Sequence, residues 1–318
     1  MWQILIDKGK GENMLVSLKE ILKVAEAKKC AIGSFNTPNL ASMRAVISAA
    51  EEQKMPVIIM HAQVHEEMNI CKIEEIAPIM LFMAEKATVP VCVHLDHGTD
   101  MSYVKRALDL GFTSVMYDGS ELEREMNYAN TSIVVEMARK YGASVEAEIG
   151  SMGAREGGGA GGESVYTDPN DAKDFAEKTG IDALACAFGT AHGLYTKAPK
   201  LDFERLKKIG QMVSIPLVMH GGSGVNPADY MKSIKLGIRK INCYTYMAKA
   251  GGTAVDALKK DMLYHDIELA ATKAMHDDAK KSIGFFSMPE HPEYSKYTEI
   301  SAERVDDIVK KVLENIKK

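Results

Sequence analysis

Three histidines stand where apolar runs give way to glycine. His97 closes His94-Leu95-Asp96-His97, His192 lies in Gly189-Thr190-Ala191-His192-Gly193, and His220 opens His220-Gly221-Gly222-Ser223-Gly224. A lone histidine is more often a surface or hydrogen-bonded core residue. Three at equivalent strand ends, beside carboxylates, point to a metal site. Imidazole nitrogens suit Zn2+ well, and three protein ligands leave one position open for substrate, as catalytic sites do. His97, His192 and His220 are the expected ligands. The neighbouring glycines let a phosphate approach the backbone, so the pairing indicates metal-assisted chemistry on a phosphorylated small molecule.

The other strand ends are rich in polar groups: Asn36, His61, Asp96, Asp118, Glu148 and Asn242. Asp96 adjoins an expected ligand, and neighbouring strand residues face opposite ways. For both to serve one site the strand must end there, and Gly98 is consistent with that. His94 lies deeper and reads as a packed core residue. Glu146 and Glu148 share one face of a strand and would be costly inside a barrel without partners. For Glu146 a structural ion pair is expected. The stretch from Gly150 to Glu163 contains seven glycines. It reads as a lid over the site, and it carries Glu156, a candidate general base. Backbone N–H groups around Gly221, with the hydroxyls of Ser223 and Thr245, are the expected phosphate donors.

Chemistry at strand ends requires a scaffold that gathers them. Strand-like runs at 31–36, 56–61, 89–96, 114–118, 144–149, 183–188, 216–220 and 240–244 alternate with helical patterns. Their continuous apolar character fits strands buried on both faces. Glycine closes many of the helices, at Gly111, Gly142, Gly180 and Gly237, where a left-handed cap is expected. Eight such alternations indicate an α/β fold, a (β/α)8 TIM barrel whose active rim lies at the strand C-termini. A helix opening after Ser17, with Glu20 completing a capping box, precedes the barrel. Two helical segments, 256–283 and 302–316, follow it. Residues 1–13 read as an N-terminal extension, and 14–318 as one barrel domain.

The 318 residues carry a net charge of −5, which offers no basic footprint for nucleic acid. No apolar run approaches the roughly 20 residues of a membrane helix. Five scattered cysteines form no disulfide framework. A cytoplasmic enzyme without nucleic-acid or membrane partners is the expectation.

The motifs together resemble the class II, metal-dependent ketose-bisphosphate aldolases, which include fructose- and tagatose-bisphosphate aldolases. The resemblance runs from about Ser17 to Thr245. It rests on His94-Leu95-Asp96-His97, Met116-Tyr117-Asp118-Gly119-Ser120, Val145-Glu146-Ala147-Glu148-Ile149-Gly150, the segment Phe188 to Tyr195, His220-Gly221-Gly222-Ser223-Gly224 and Lys240-Ile241-Asn242. It implies reversible aldol cleavage of a ketose phosphate to dihydroxyacetone phosphate and an aldehyde. In that scheme His97, His192 and His220 hold zinc, and Asp118 and Glu148 flank a resting metal position. Asp96 is the acid/base at the hydroxyl, and Glu156 removes a proton from the triose phosphate. Gly193, Gly221, Ser223 and Thr245 form the phosphate cradle, with a monovalent cation (Na+ or K+) beside it. Asn242 and Asn36 contact substrate. A homodimer or homotetramer is implied.

Three departures from that pattern stand out. Tyr244 sits where fructose-specific members commonly carry aspartate, and His61 and His65 replace a small polar run, where either could contact substrate. The arginine that often holds the distal phosphate has no match, leaving Lys280-Lys281 as candidate substitutes. The alternatives are therefore an aldolase for a singly phosphorylated ketose and a non-catalytic phosphosugar-binding barrel.

Overall fold

The computed structural model describes residues 14–151, 165–195, 198–258 and 261–287. Eight parallel strands close a barrel in sequence order: β1 (Ile32–Asn36), β2 (Val57–Ala62), β3 (Val91–Gly98), β4 (Ser114–Tyr117), β5 (Ser144–Ile149), β6 (Ala183–Cys186), β7 (Leu217–Met219) and β8 (Ile238–Cys243). Closure is made by β8 against β1, from Ile32 opposite Lys240 to Phe35 opposite Cys243. Every strand residue is buried except His97 and Ile149, which are half-buried. Burial on both faces is why these strands read as unbroken apolar runs.

Eleven helices accompany the strands among the described residues: α1 (Leu18–Lys28), α2 (Leu40–Gln53), α3 (Gln63–Glu67), α4 (Ile73–Lys86), α5 (Met101–Asp109), α6 (Arg124–Arg139), α7 (Pro169–Thr179), α8 (Phe203–Met212), α9 (Pro227–Lys235), α10 (Thr245–Asp256) and α11 (Tyr264–Phe286). Their starts follow capping chemistry. The Ser17–Glu20 box opens α1, and Asp168 and Asn226 cap helices whose first residue is proline. Gly111, Gly142, Gly180 and Gly237 all take positive φ, as the sequence predicts.

Of the additional terminal helices, α1 engages the end of the barrel opposite the strand C-termini, and α11 runs along the side, reaching that end at its last turn. Leu15 bridges to Val91, Lys19 N–H donates to Ser144 Oγ, and Thr113 Oγ1 donates to Val16 carbonyl. Thus α1 lies across the strand starts. At the other terminus α11 packs on α2, and Ala31 N–H donates to Phe286 carbonyl. The predicted barrel with extra helices is therefore the observed fold.

Several boundaries differ from the sequence reading. β3 continues past Asp96 to Gly98, with a register shift against β4 between Leu95 and Gly98. β7 ends at Met219, so His220 stands just beyond the ladder. The helix expected over 256–283 begins later, at Tyr264, and a helix the sequence reading did not include, α10, opens at Thr245. Gly251-Gly252 inside α10 weaken its helical signal, since glycine is a poor helix former. Residues 1–13, most of the stretch expected to form a lid, including Glu156, and the segment 302–316 lie outside the described residues.

Candidate active site

The site begins with the irregularity in β3. In a regular strand Asp96 and His97 would face opposite sides. His97 instead adopts φ of 45° at the register shift. A positive φ at a residue other than glycine is costly and concentrates at functional positions. The distortion brings both side chains to the barrel mouth without ending the strand.

Asp96 is fully buried and accepts one hydrogen bond at each oxygen, from Asn36 Nδ2 at 3.0 Å and from Asn242 Nδ2 at 3.1 Å. Burial alone would raise its pKa, but the fields of His97, His220 and Lys240 outweigh that and hold it below the usual carboxylate range. It is an oriented anion.

Two of the three histidines are oriented by carboxylates. His97 Nδ1 lies 2.8 Å from Asp118 Oδ2, and His220 Nε2 lies 2.8 Å from Glu146 Oε1. A carboxylate accepts, so each of these ring nitrogens donates. The two other nitrogens, His97 Nε2 and His220 Nδ1, face each other at 2.8 Å. Two lone pairs cannot face at that separation, so in the metal-free protein a proton lies between them, where a metal cation would take its place. The His192 ring completes the cluster, 5.1 Å from the His97 ring and 5.9 Å from that of His220. The ligating atoms of all three lie within 4.8 Å of one another, as do those of a second group, His97, Asp118 and Glu148. This donor set fits a divalent metal such as zinc, with His97 common to both positions.

The protonation pattern of the metal-free protein follows from this geometry. Burial opposes charge on His97, yet Asp96 and Asp118 lift its pKa to about 10. Burial, reinforced by the charge of Asp118, pushes Glu148 well above the ordinary carboxylate value. A positive charge on His97 and a carboxyl disposed to hold its proton thus occupy a place suited to a metal cation.

Below the histidines, Lys240 Nζ lies 2.9 Å from Glu146 Oε2 and donates to Asn242 Oδ1 at 2.7 Å. The ion pair expected for Glu146 is present, and both partners are wholly buried.

Beside the histidines, three segments converge: the loops after β6 and β7 and the start of α10. Gly193 and Gly221 take φ of 95° and 60°. A Cβ on Gly221 would stand 2.3 Å from Ala191 carbonyl oxygen, so only glycine fits there. Ser223 Oγ accepts from Tyr244 N–H at 2.9 Å, and Thr245 is the first residue of the helix. Glycine N–H groups and a helix N-terminus together suit an anion such as phosphate.

The remaining predicted residues divide. His94 is a core residue, with Nδ1 2.8 Å from Ser114 Oγ. His61 is buried against the Tyr103 hydroxyl at 2.9 Å and is accounted for there. The His65 ring packs 5.3 Å from that of Tyr244, beside the cluster. Lys280 is a correction. It pairs with Glu52 in the last turn of α2, and Ala31 at the start of β1 meets the end of its own helix. That end of α2 lies at the strand starts, so Lys280 is on the wrong face of the barrel to meet a substrate phosphate.

Three contributors escaped the sequence reading. Ser120 donates to Asp118 Oδ1 at 2.7 Å. The Tyr195 hydroxyl accepts from Ala191 N–H and donates to Gly221 carbonyl, tying two loops together. Lys240 lies two residues before Asn242, and the two-residue strand period already puts them on one face.

Residues 16–291 match the family model described as fructose-bisphosphate aldolase class-II. The chain is 43% identical to a probable fructose-bisphosphate aldolase of Bacillus subtilis, over 73% of this chain and 81% of that protein. It is 40% identical to the 6-phospho-5-dehydro-2-deoxy-D-gluconate aldolase of Halalkalibacterium halodurans, over 86% of this chain and 96% of that one. Among solved structures, the YdjI aldolase from Escherichia coli K12 superposes with a TM-score of 0.78 at 37% identity, covering 87% of this chain and 99% of that chain.

Proposed function

The chain belongs to the class II fructose-bisphosphate aldolase family, carbon–carbon lyases acting on sugar phosphates, and from that premise we propose a reversible, zinc-dependent aldol cleavage of a ketose phosphate that yields dihydroxyacetone phosphate. The observation that carries the reading is the convergence of three imidazoles beside a carboxylate held by two asparagines.

Zinc held by His97, His192 and His220 would offset the negative charge that develops on a carbonyl oxygen as the adjacent carbon loses a proton. Asp96 moves the proton at the substrate hydroxyl, because it is an anion whose two oxygens are aimed by Asn36 and Asn242. Glu156 takes the carbon-bound proton of the triose phosphate. Gly193, Gly221, Ser223 and Thr245 cradle its phosphate, with Na+ or K+ alongside. Asp118 and Glu148, sharing His97, offer the metal a resting position. The working form is a cytoplasmic homodimer or homotetramer.

A second reading concerns the far end of the substrate. Lys280 is engaged with Glu52 on the opposite face of the barrel, which favours a ketose carrying a single phosphate over a bisphosphate. The decisive experiment measures triose phosphate release from fructose 1,6-bisphosphate, tagatose 1,6-bisphosphate and singly phosphorylated ketoses. It is run before and after exhaustive chelation, and again after zinc is restored. Full activity in metal-stripped protein would overturn the zinc reading, and cleavage of bisphosphates alone would overturn the second.

A further inference from the structure

Lys240 and Glu146 form a salt bridge with both side chains wholly buried. Such pairs are weak sources of stability, because desolvating two charges offsets most of their attraction. Apolar residues of similar size often serve a fold as well. The question is what this pair does for the site above it.

Each end contacts a side chain whose orientation is otherwise ambiguous. An asparagine can present oxygen or nitrogen in nearly the same place, and a neutral imidazole can carry its proton on either nitrogen. Lys240 Nζ has only protons to offer, and it donates to Asn242 Oδ1 at 2.7 Å. That contact turns Asn242 Nδ2 toward Asp96, 3.1 Å away. Glu146 Oε1, an acceptor, lies 2.8 Å from His220 Nε2. That contact places the proton on Nε2 and leaves the lone pair on Nδ1, the nitrogen facing His97.

We propose that the Lys240–Glu146 pair is a positioning device that selects one amide orientation of Asn242 and one tautomer of His220, and that the barrel does not need it to fold. One buried ion pair thereby orients both the proton-transfer group and the metal-binding face. Lys240 and Glu146 are positioning residues, since neither reaches the reacting atoms. The inference rests on the metal-dependent reading above.

The test replaces both charges together, Lys240→Met with Glu146→Leu, so that neither is left buried alone. The double variant unfolds as cooperatively as the parent. Its zinc affinity, measured by competition with a chromophoric chelator, falls about 10- to 100-fold, the usual effect of losing a residue that orients a metal-bound histidine. Its kcat falls far more than its KM changes. In metal-free protein with 15N-labelled histidine, with His97→Ala placed in parent and double variant alike to remove the ring that faces Nδ1, His220 goes from the single Nε2–H tautomer to a mixture. Parent-like zinc affinity with an unchanged tautomer would overturn the proposal. A double variant that fails to fold would overturn it too, by making the pair structural. A parent that binds no zinc would refute the metal-dependent reading, while the tautomer measurement would still decide the positioning role.

Discussion

His61 offers a measurement of buried charge that is independent of turnover. Its ring is fully buried, with Nε2 2.9 Å from the Tyr103 hydroxyl. Burial, helped by neighbouring His65, lowers its pKa to about 3. In the unfolded chain the same imidazole titrates at about 6.5. Between these values the unfolded state binds the extra proton, so stability falls as pH drops below about 6.5. At about pH 5 the gap is roughly 1.5 units, or about 2 kcal/mol at 1.36 kcal/mol per unit. That loss depends on the unfolded value, because the folded ring is still neutral there. His61→Gln retains a group able to reach Tyr103 and removes the titration. Urea unfolding of parent and variant at about pH 7.5 and about pH 5 isolates the effect, since groups not coupled to His61 cancel. The parent's advantage shrinks by about 2 kcal/mol on acidification. An advantage that is the same at both pH values would refute the claim that His61 is held neutral.

Three further outcomes follow from the site. Asp96→Asn lowers kcat by about 10^2- to 10^4-fold in steady-state cleavage assays with little change in KM; a change in kcat below about tenfold would remove Asp96 from proton transfer. Gly221→Ala sets a Cβ against Ala191 carbonyl at 2.3 Å and φ of 60°, so KM for the phosphorylated substrate rises and inhibition by inorganic phosphate weakens, with parent-like values of both counting against the cradle. Zinc binding to metal-free protein near neutral pH releases protons into a weak buffer, because His97 with its pKa of about 10 must give one up; uptake without release would contradict that protonation state.

Much of this architecture was legible in the sequence because barrel strands carry two signals at once. Apolar runs such as Val57–Ala62 mark burial on both faces, and polar residues cluster where each run stops. Asn36, Asp96, His97, His220 and Asn242 were all found that way, and the structure brings them together. What resisted reading was geometry that pattern does not encode. The turn at His97 is a backbone conformation, not a residue type, so Asp96 and His97 looked incompatible within a continuing strand. Lys240 stood at the start of a strand run and within a quoted motif but was given no role, since only the folded barrel brings β5 and β8 to a common centre. Lys280 was misread for the converse reason. Its charge was visible, but which end of the barrel its helix would present was not.

Tyr195 couples two parts of the site that sequence keeps apart. Its hydroxyl accepts from Ala191 N–H, next to His192, and donates to Gly221 carbonyl, next to His220. One phenol thereby joins the loop that carries an imidazole to the glycine turn that faces an anion. A change at Tyr195 would displace both together, so the two ends of one small molecule would feel a single substitution.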